Sequence, residues 1–257
     1  MPFVNNQGIR IHYETEGAGP PLVLQHWSVA TLENWADFGY VAALKNDYRL
    51  ILLDTRGHGS SDKPQNPEAY ELKKRVEDIL AILDELGIEK THFFGYSMGG
   101  AIGFSMAQNA PERLRSLIIG GAHPYASNME GLRQFIQVAI EEGPDVFVNN
   151  WEDEYGKLPP ELRKRMLAYD YETLMMVAQD RDSMEAILPT MEMPCLLYAG
   201  ELDNYQQVQE CARLIPNATF FTLPGLDHGS AGFRSDIVVP HLKKFLAKVE
   251  RETGKQP

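Results

Sequence analysis

A chain of 257 residues, 44% of them hydrophobic, can bury one large core, since α/β folds commonly reach roughly 200 to 250 residues as a single domain. Its net charge of −12 would repel phosphate backbones, and no lysine- or arginine-rich cluster offsets it, which argues against nucleic-acid binding. No window approaches the ~18 apolar residues of a membrane span, and residues 1–10 lack the basic-then-apolar pattern of a secretory leader, so a soluble cytoplasmic protein is expected.

In chain order, short apolar runs fall at 22–24, 50–53, 92–94, 117–119, 195–198 and 220–223. Several lack strict polar alternation, as parallel strands covered by helices on both faces do. Between the second and third runs, Leu72, Val76, Ile79, Leu80, Leu83 and Leu86 recur at helical spacing and stop at Gly87, a common helix-ending residue. The alternation predicts an α/β fold with a doubly wound, mostly parallel sheet. It breaks after Tyr125, where strand signals vanish and helical ones continue, as in Leu132, Phe135, Ile136, Ala139 and Ile140. The organisation expected is a core of residues 1–125 and 194–257 with an inserted helical cap over 126–193. Seven of the ten methionines fall in or at the edge of this segment, from Met129 to Met193. Flexible thioethers suit an adaptable apolar pocket as well as ordinary core filling. A last helical pattern, Ile237, Val238, Leu242, Phe245, Leu246 and Val249, precedes a polar tail at 250–257. Cys195 and Cys211, the only cysteines, read as reduced, buried thiols.

The strongest local signal is Gly95-Tyr96-Ser97-Met98-Gly99, directly after the third apolar run and directly before a helical stretch. With glycine near 7% of residues, G-x-S-x-G arises by chance roughly 0.1 times in this length. A serine on a sharp strand-to-helix turn needs small residues two positions away on either side. The helix that follows aims its N-terminal amides at the serine, so Ser97 is the candidate nucleophile and Met98 N–H an oxyanion donor.

With these residues in place, the chain resembles the α/β-hydrolase fold family, in its small-cap esterase and 3-oxoadipate enol-lactonase-like branch. The resemblance implies an acid after the strand that follows the cap. In Leu196-Leu197-Tyr198-Ala199-Gly200-Glu201-Leu202-Asp203 this role goes to Asp203, with Glu201 as local competitor. It implies a histidine after the last strand, which is His228 in Leu223-Pro224-Gly225-Leu226-Asp227-His228-Gly229, on a loop before the final helix. It places the second oxyanion donor in His26-Trp27-Ser28-Val29-Ala30, at Ser28 N–H, with His26 fixing the loop. Family members usually carry glycine where this chain has Trp27, whose indole goes either to the core or to the substrate pocket. His123, at the entrance to the cap, either faces substrate or is structural. Asp54-Thr55-Arg56-Gly57-His58-Gly59-Ser60-Ser61-Asp62 reads as a structural turn. No metal or cofactor motif occurs, so none is expected. The function implied is a serine hydrolase for a small apolar ester or lactone. Carbon–carbon bond hydrolysis, peroxidase-like chemistry and a hydrolase-like small-ligand receptor are the alternatives, and oligomeric state is left open.

Overall fold

The computed structural model describes residues 2–253. It opens with two strands that the apolar runs did not reveal, β1 (Phe3–Asn6) and β2 (Ile9–Glu16), paired antiparallel through a tight turn at Gln7 and Gly8. Ile9, Ile11 and Tyr13 alternate with polar residues, of which Arg10 is exposed and His12 is buried. All six apolar runs lie inside strands: β3 (Pro21–Gln25), β4 (Arg49–Leu53), β5 (Thr91–Tyr96), β6 (Leu114–Gly120), β7 (Cys195–Gly200) and β8 (Ala218–Leu223). They form one sheet in the order β1-β2-β4-β3-β5-β6-β7-β8. β2 joins β4 antiparallel, and every pair from β4 to β8 is parallel.

Eleven α-helices are described: α1 (Asn34–Asp37), α2 (Tyr40–Leu44), α3 (Leu72–Glu85), α4 (Met98–Asn109), α5 (Glu130–Glu141), α6 (Pro144–Tyr155), α7 (Pro160–Leu167), α8 (Tyr171–Val177), α9 (Tyr205–Leu214), α10 (His228–Phe233) and α11 (Ser235–Thr253). The pleat of β4 sends Ile51 and Leu53 to one face, where they meet Ile79, Ile102 and Val208 of α3, α4 and α9. Leu50 and Leu52 go to the other face, against Trp35, Tyr40 and Leu44 of α1 and α2 and Val238 and Leu242 of α11. Burial on both faces is why the strands read as unbroken apolar runs. Helix α11 runs on to Thr253, into the stretch expected as polar tail. His92 at 2.8 Å and Arg115 at 3.0 Å hold its Glu250 against the sheet; residues 254–257 lie outside the described residues.

Helices α5 to α8 form their own apolar cluster, with Ile136, Phe147, Leu162, Met166 and Leu174 at its centre. Met129 and Met175 pack against it, whereas Met184, Met191 and Met193 pack into the sheet core. The methionine concentration therefore serves two packing regions, and Met129 and Met184 also line a cavity.

The sheet order reverses at β3, which lies between β4 and β5. In open α/β sheets, ligands bind outside the carboxyl ends of the strands at such a switch point. The segments carrying Ser28, Ser97, Asp203 and His228 follow the carboxyl ends of β3, β5, β7 and β8.

Candidate active site

Ser97 sits between β5 and α4 at φ 53°, ψ −114°, a backbone conformation that costs a non-glycine residue about 1–3 kcal/mol. Its surroundings hold it there. The Ser97 N–H donates to Gly120 O at 2.8 Å, and Ser97 O accepts from Ala101 N–H at 3.0 Å. A Cβ on Gly95 would overlap the Gly99 carbonyl, and one on Gly99 would overlap the carbonyl of Gln25. Both glycines are thus required by close backbone approach, and the second brings α4 onto the end of β3.

The structure brings three of the candidate residues into one hydrogen-bonded line. His228 Nε2 lies 2.9 Å from Ser97 Oγ, and His228 Nδ1 lies 2.8 Å from Asp203 Oδ2. Burial works against the Asp203 carboxylate, but the imidazole hydrogen bond and charge outweigh it and hold its pKa below the usual carboxylate value. An ionised Asp203 requires Nδ1 to carry the proton, which leaves Nε2 free to accept from Ser97. The Asp203 side chain is 7% exposed while that of His228 is 47% exposed, so the carboxylate sits behind the ring and the ring edge faces the cavity. Glu201, the competitor, accepts from Gly225 N–H at 2.9 Å and ties the loop after β8 instead.

His228 was expected on a loop; it is the first residue of the short helix α10. Asp227 caps that helix, accepting from Ser230 N–H at 2.8 Å and receiving the Ser230 hydroxyl, while Ser230 Oγ accepts from Asp227 N–H at 3.2 Å. The Tyr96 hydroxyl also donates to His228 O at 2.5 Å. Sequence reading missed Tyr96, because its slot in G-x-S-x-G is unrestricted and the contact spans most of the chain.

A cavity of ≈ 1080 Å³ opens over Ser97 and His228, and Met98, Ser28, Trp27 and His123 all line it. Among the described residues neither Ser28 N–H nor Met98 N–H has a hydrogen-bond acceptor, as two donors reserved for an oxyanion would be. His26 accepts from Thr55 N–H at 3.1 Å through Nε2 and donates through Nδ1 to Trp27 O at 2.7 Å, which fixes the loop. Trp27 keeps negative φ; the left-handed position falls at Val29, φ 55°, a strained conformation for a β-branched residue. The indole is buried among Trp35, Phe38, Tyr96 and Phe233, with centroids 5.6–6.1 Å away, and still contributes to the cavity wall. Val29 in turn packs against the cap cluster, so the loop links cap and sheet. His123 is half-buried with Nδ1 lacking a partner, and burial lowers its pKa.

The remaining wall comes mainly from the cap and its junctions, including Met129, Leu132, Phe135, Trp151, Tyr155 and Arg181. No group of three or more His, Cys, Asp or Glu side chains that could hold a metal occurs among the described residues, and no described helix is long and apolar enough to cross a membrane.

Comparison with known proteins bears on the family and the fold. The alpha/beta hydrolase fold family matches residues 20–173. A Bacillus subtilis protein, provisionally named a 2-succinyl-6-hydroxy-2,4-cyclohexadiene-1-carboxylate synthase, is 25% identical over 87% of this chain and 89% of its own length. One from Pseudomonas savastanoi, provisionally named a carbamate hydrolase, is 28% identical over 86% of this chain and 91% of its own. The crystal structure of the enol-lactonase from Burkholderia xenovorans LB400 superposes with a TM-score of 0.83 at 25% identity, covering 96% of this chain and all of that one.

Proposed function

The chain belongs to the α/β-hydrolase fold family and is a hydrolase, and from that premise we propose that it cleaves a small carboxylic ester or lactone through an acyl-enzyme on Ser97. The observation that carries this reading is the continuous line from Ser97 Oγ through His228 to Asp203 at the mouth of the cavity.

In the first half, Ser97 Oγ attacks the acyl carbonyl while His228 Nε2 takes its proton, and Asp203 stabilises the imidazolium. The tetrahedral oxyanion receives the N–H groups of Met98 and Ser28. Collapse expels the alkoxide, which leaves as alcohol with the proton from His228. For a lactone the alcohol stays tethered to the acyl group. In the second half His228 deprotonates a water that attacks the acyl-enzyme, and its return of that proton to Ser97 Oγ releases the acid. No redox change occurs and no co-reactant besides water is consumed.

The experiment that tests this reading is multiple turnover on a panel of 4-nitrophenyl esters, lactones and carbon–carbon substrates. Sustained hydrolysis of esters or lactones is expected. Binding without turnover would point instead to a receptor, and preference for the carbon–carbon substrates would replace the ester assignment.

A further inference from the structure

The cations lining the cavity are not equivalent. Arg75 is buried, and its guanidinium donates to the carbonyls of Tyr70 at 2.9 Å and Val177 at 3.2 Å. Lys73 is exposed. Arg181 differs from both. Its backbone is held by a two-way bridge to Ser127, with N–H to carbonyl distances of 2.9 and 3.0 Å, where the chain leaves the sheet for the cap and where it returns. Its side chain lines the cavity with Nε buried and unpartnered, and no hydrogen bond or ion pair to its guanidinium occurs among the described residues. The adjacent Asp180 is engaged by Arg133 at 2.9 Å and by Met129 N–H at 2.8 Å.

Burial without a counter-charge pushes the Arg181 pKa down, and its charge in turn opposes protonation of His123. His123 Nδ1 is itself buried and unpartnered in the same wall. Two unsatisfied polar atoms therefore belong to neighbouring side chains of one cavity. Leaving a buried charge or polar group unpaired is costly unless a partner arrives. In a chain with 36 acidic against 24 basic side chains, carboxylate partners are abundant, yet among the described residues none pairs with Arg181.

We infer that Arg181, with His123 beside it, is the subsite for an anionic group of the substrate, which is an ester or lactone that also carries a carboxylate; this rests on the serine-hydrolase reading above. The guanidinium fork matches a carboxylate in two parallel hydrogen bonds. A single uncompensated positive charge balances one negative charge. The wall also holds Asp182, Glu71 and Glu154, which disfavours a phosphate dianion. Trp27, Phe135 and Trp151 give the apolar surface for the carbon chain between the two ends.

The probe is a pair of esters differing only in the charge, monomethyl glutarate and dimethyl glutarate, titrated calorimetrically into the Ser97→Ala protein so that binding is read without turnover. The monoanion should bind at least ~10-fold more tightly than the neutral diester, as a charge-assisted pair predicts. Arg181→Met should abolish that preference while leaving dimethyl glutarate binding unchanged and the thermal midpoint no lower, and Arg181→Lys should keep part of it. If Arg181→Met does not fold, Arg181→Gln takes its place, and the contrast between the two ligands needs no Arg181 variant. Equal affinity for the two esters, or an undiminished preference in the variant, overturns the inference, and tighter binding of inorganic phosphate than of monomethyl glutarate overturns the carboxylate assignment. Failure of the hydrolase reading is seen separately, as absent turnover of a neutral 4-nitrophenyl ester by the unmodified protein.

Discussion

The sheet side and the cap side of the cavity are held in shape by different means. On the sheet side, the Ser97 turn is pinned by hydrogen bonds, by glycines pressed against backbone carbonyls and by a capped helix that begins at His228. On the cap side, α5 to α8 gather around an apolar cluster with ion pairs at its surface, and the cavity face they supply includes Leu132, Phe135 and Trp151. A reacting constellation tolerates displacement of only a fraction of an ångström, whereas an apolar wall can be repacked at modest cost. On the proposed mechanism chemistry falls to the sheet and choice of substrate to the cap, and variants on each side should fail differently.

The largest effect belongs to the sheet side. Asp203→Asn leaves the shape of the site intact but favours the wrong histidine tautomer, and should lower kcat by ~10⁴ with little change in thermal midpoint. Glu201→Gln should cost far less, since Glu201 ties the loop after β8. Steady-state kinetics on one aryl ester decides this, and a larger loss in Glu201→Gln would reverse the assignment.

Trp27 lies on the boundary and should show both kinds of failure. Its place in the buried aromatic cluster predicts that Trp27→Gly costs ~3–5 kcal/mol of stability. Its place in the cavity wall predicts a preference for longer acyl chains shifted at least ~10-fold relative to acetate. Thermal unfolding and a chain-length series measure the two together. A fall in midpoint with unchanged preference would confine Trp27 to the core.

The smallest effect is that of pH on the fold. His26 and His58 are buried, and burial lowers both pKa values below 6.5. Burial also lowers those of His92 and His123. Below about pH 6.5 the unfolded chain takes up protons that these folded-state imidazoles refuse, so stability falls on acidification, by about 1.4 kcal/mol per pH unit for each net proton. His12 acts oppositely. Its hydrogen bond with Asp54 raises its pKa above 6.5, so its contribution is present at acid pH and is lost as pH rises through that raised value. With more groups lowered than raised, the midpoint should drop between pH 7 and pH 5.5, and a flat or rising profile would contradict the burial argument.

How legible each region was in the sequence follows the same division. Ser97 could be picked out as a candidate because a strained strand-to-helix turn imposes residue types locally, and Asp203 and His228 because the family resemblance points to the segments after β7 and β8. Unbroken apolar runs located β3 to β8 for an equally local reason. The hairpin of β1 and β2 was overlooked because its signal is alternation rather than a run. Arg181 left no mark at all: Asp180-Arg181-Asp182 reads as a solvated charged stretch, and only the folded chain shows Arg181 lining the cavity with its Nε buried. Trp27 resisted assignment because core and cavity share its two sides.

Ser97 as the covalent nucleophile is tested most directly by trapping. The protein is treated with a fluorophosphonate and analysed by intact mass and peptide mapping. A single adduct on Ser97, formed in step with loss of ester hydrolysis and absent from Ser97→Ala, is the predicted result. An unlabelled Ser97 in an enzyme that still turns over esters, or an adduct on another residue that abolishes turnover, would contradict it.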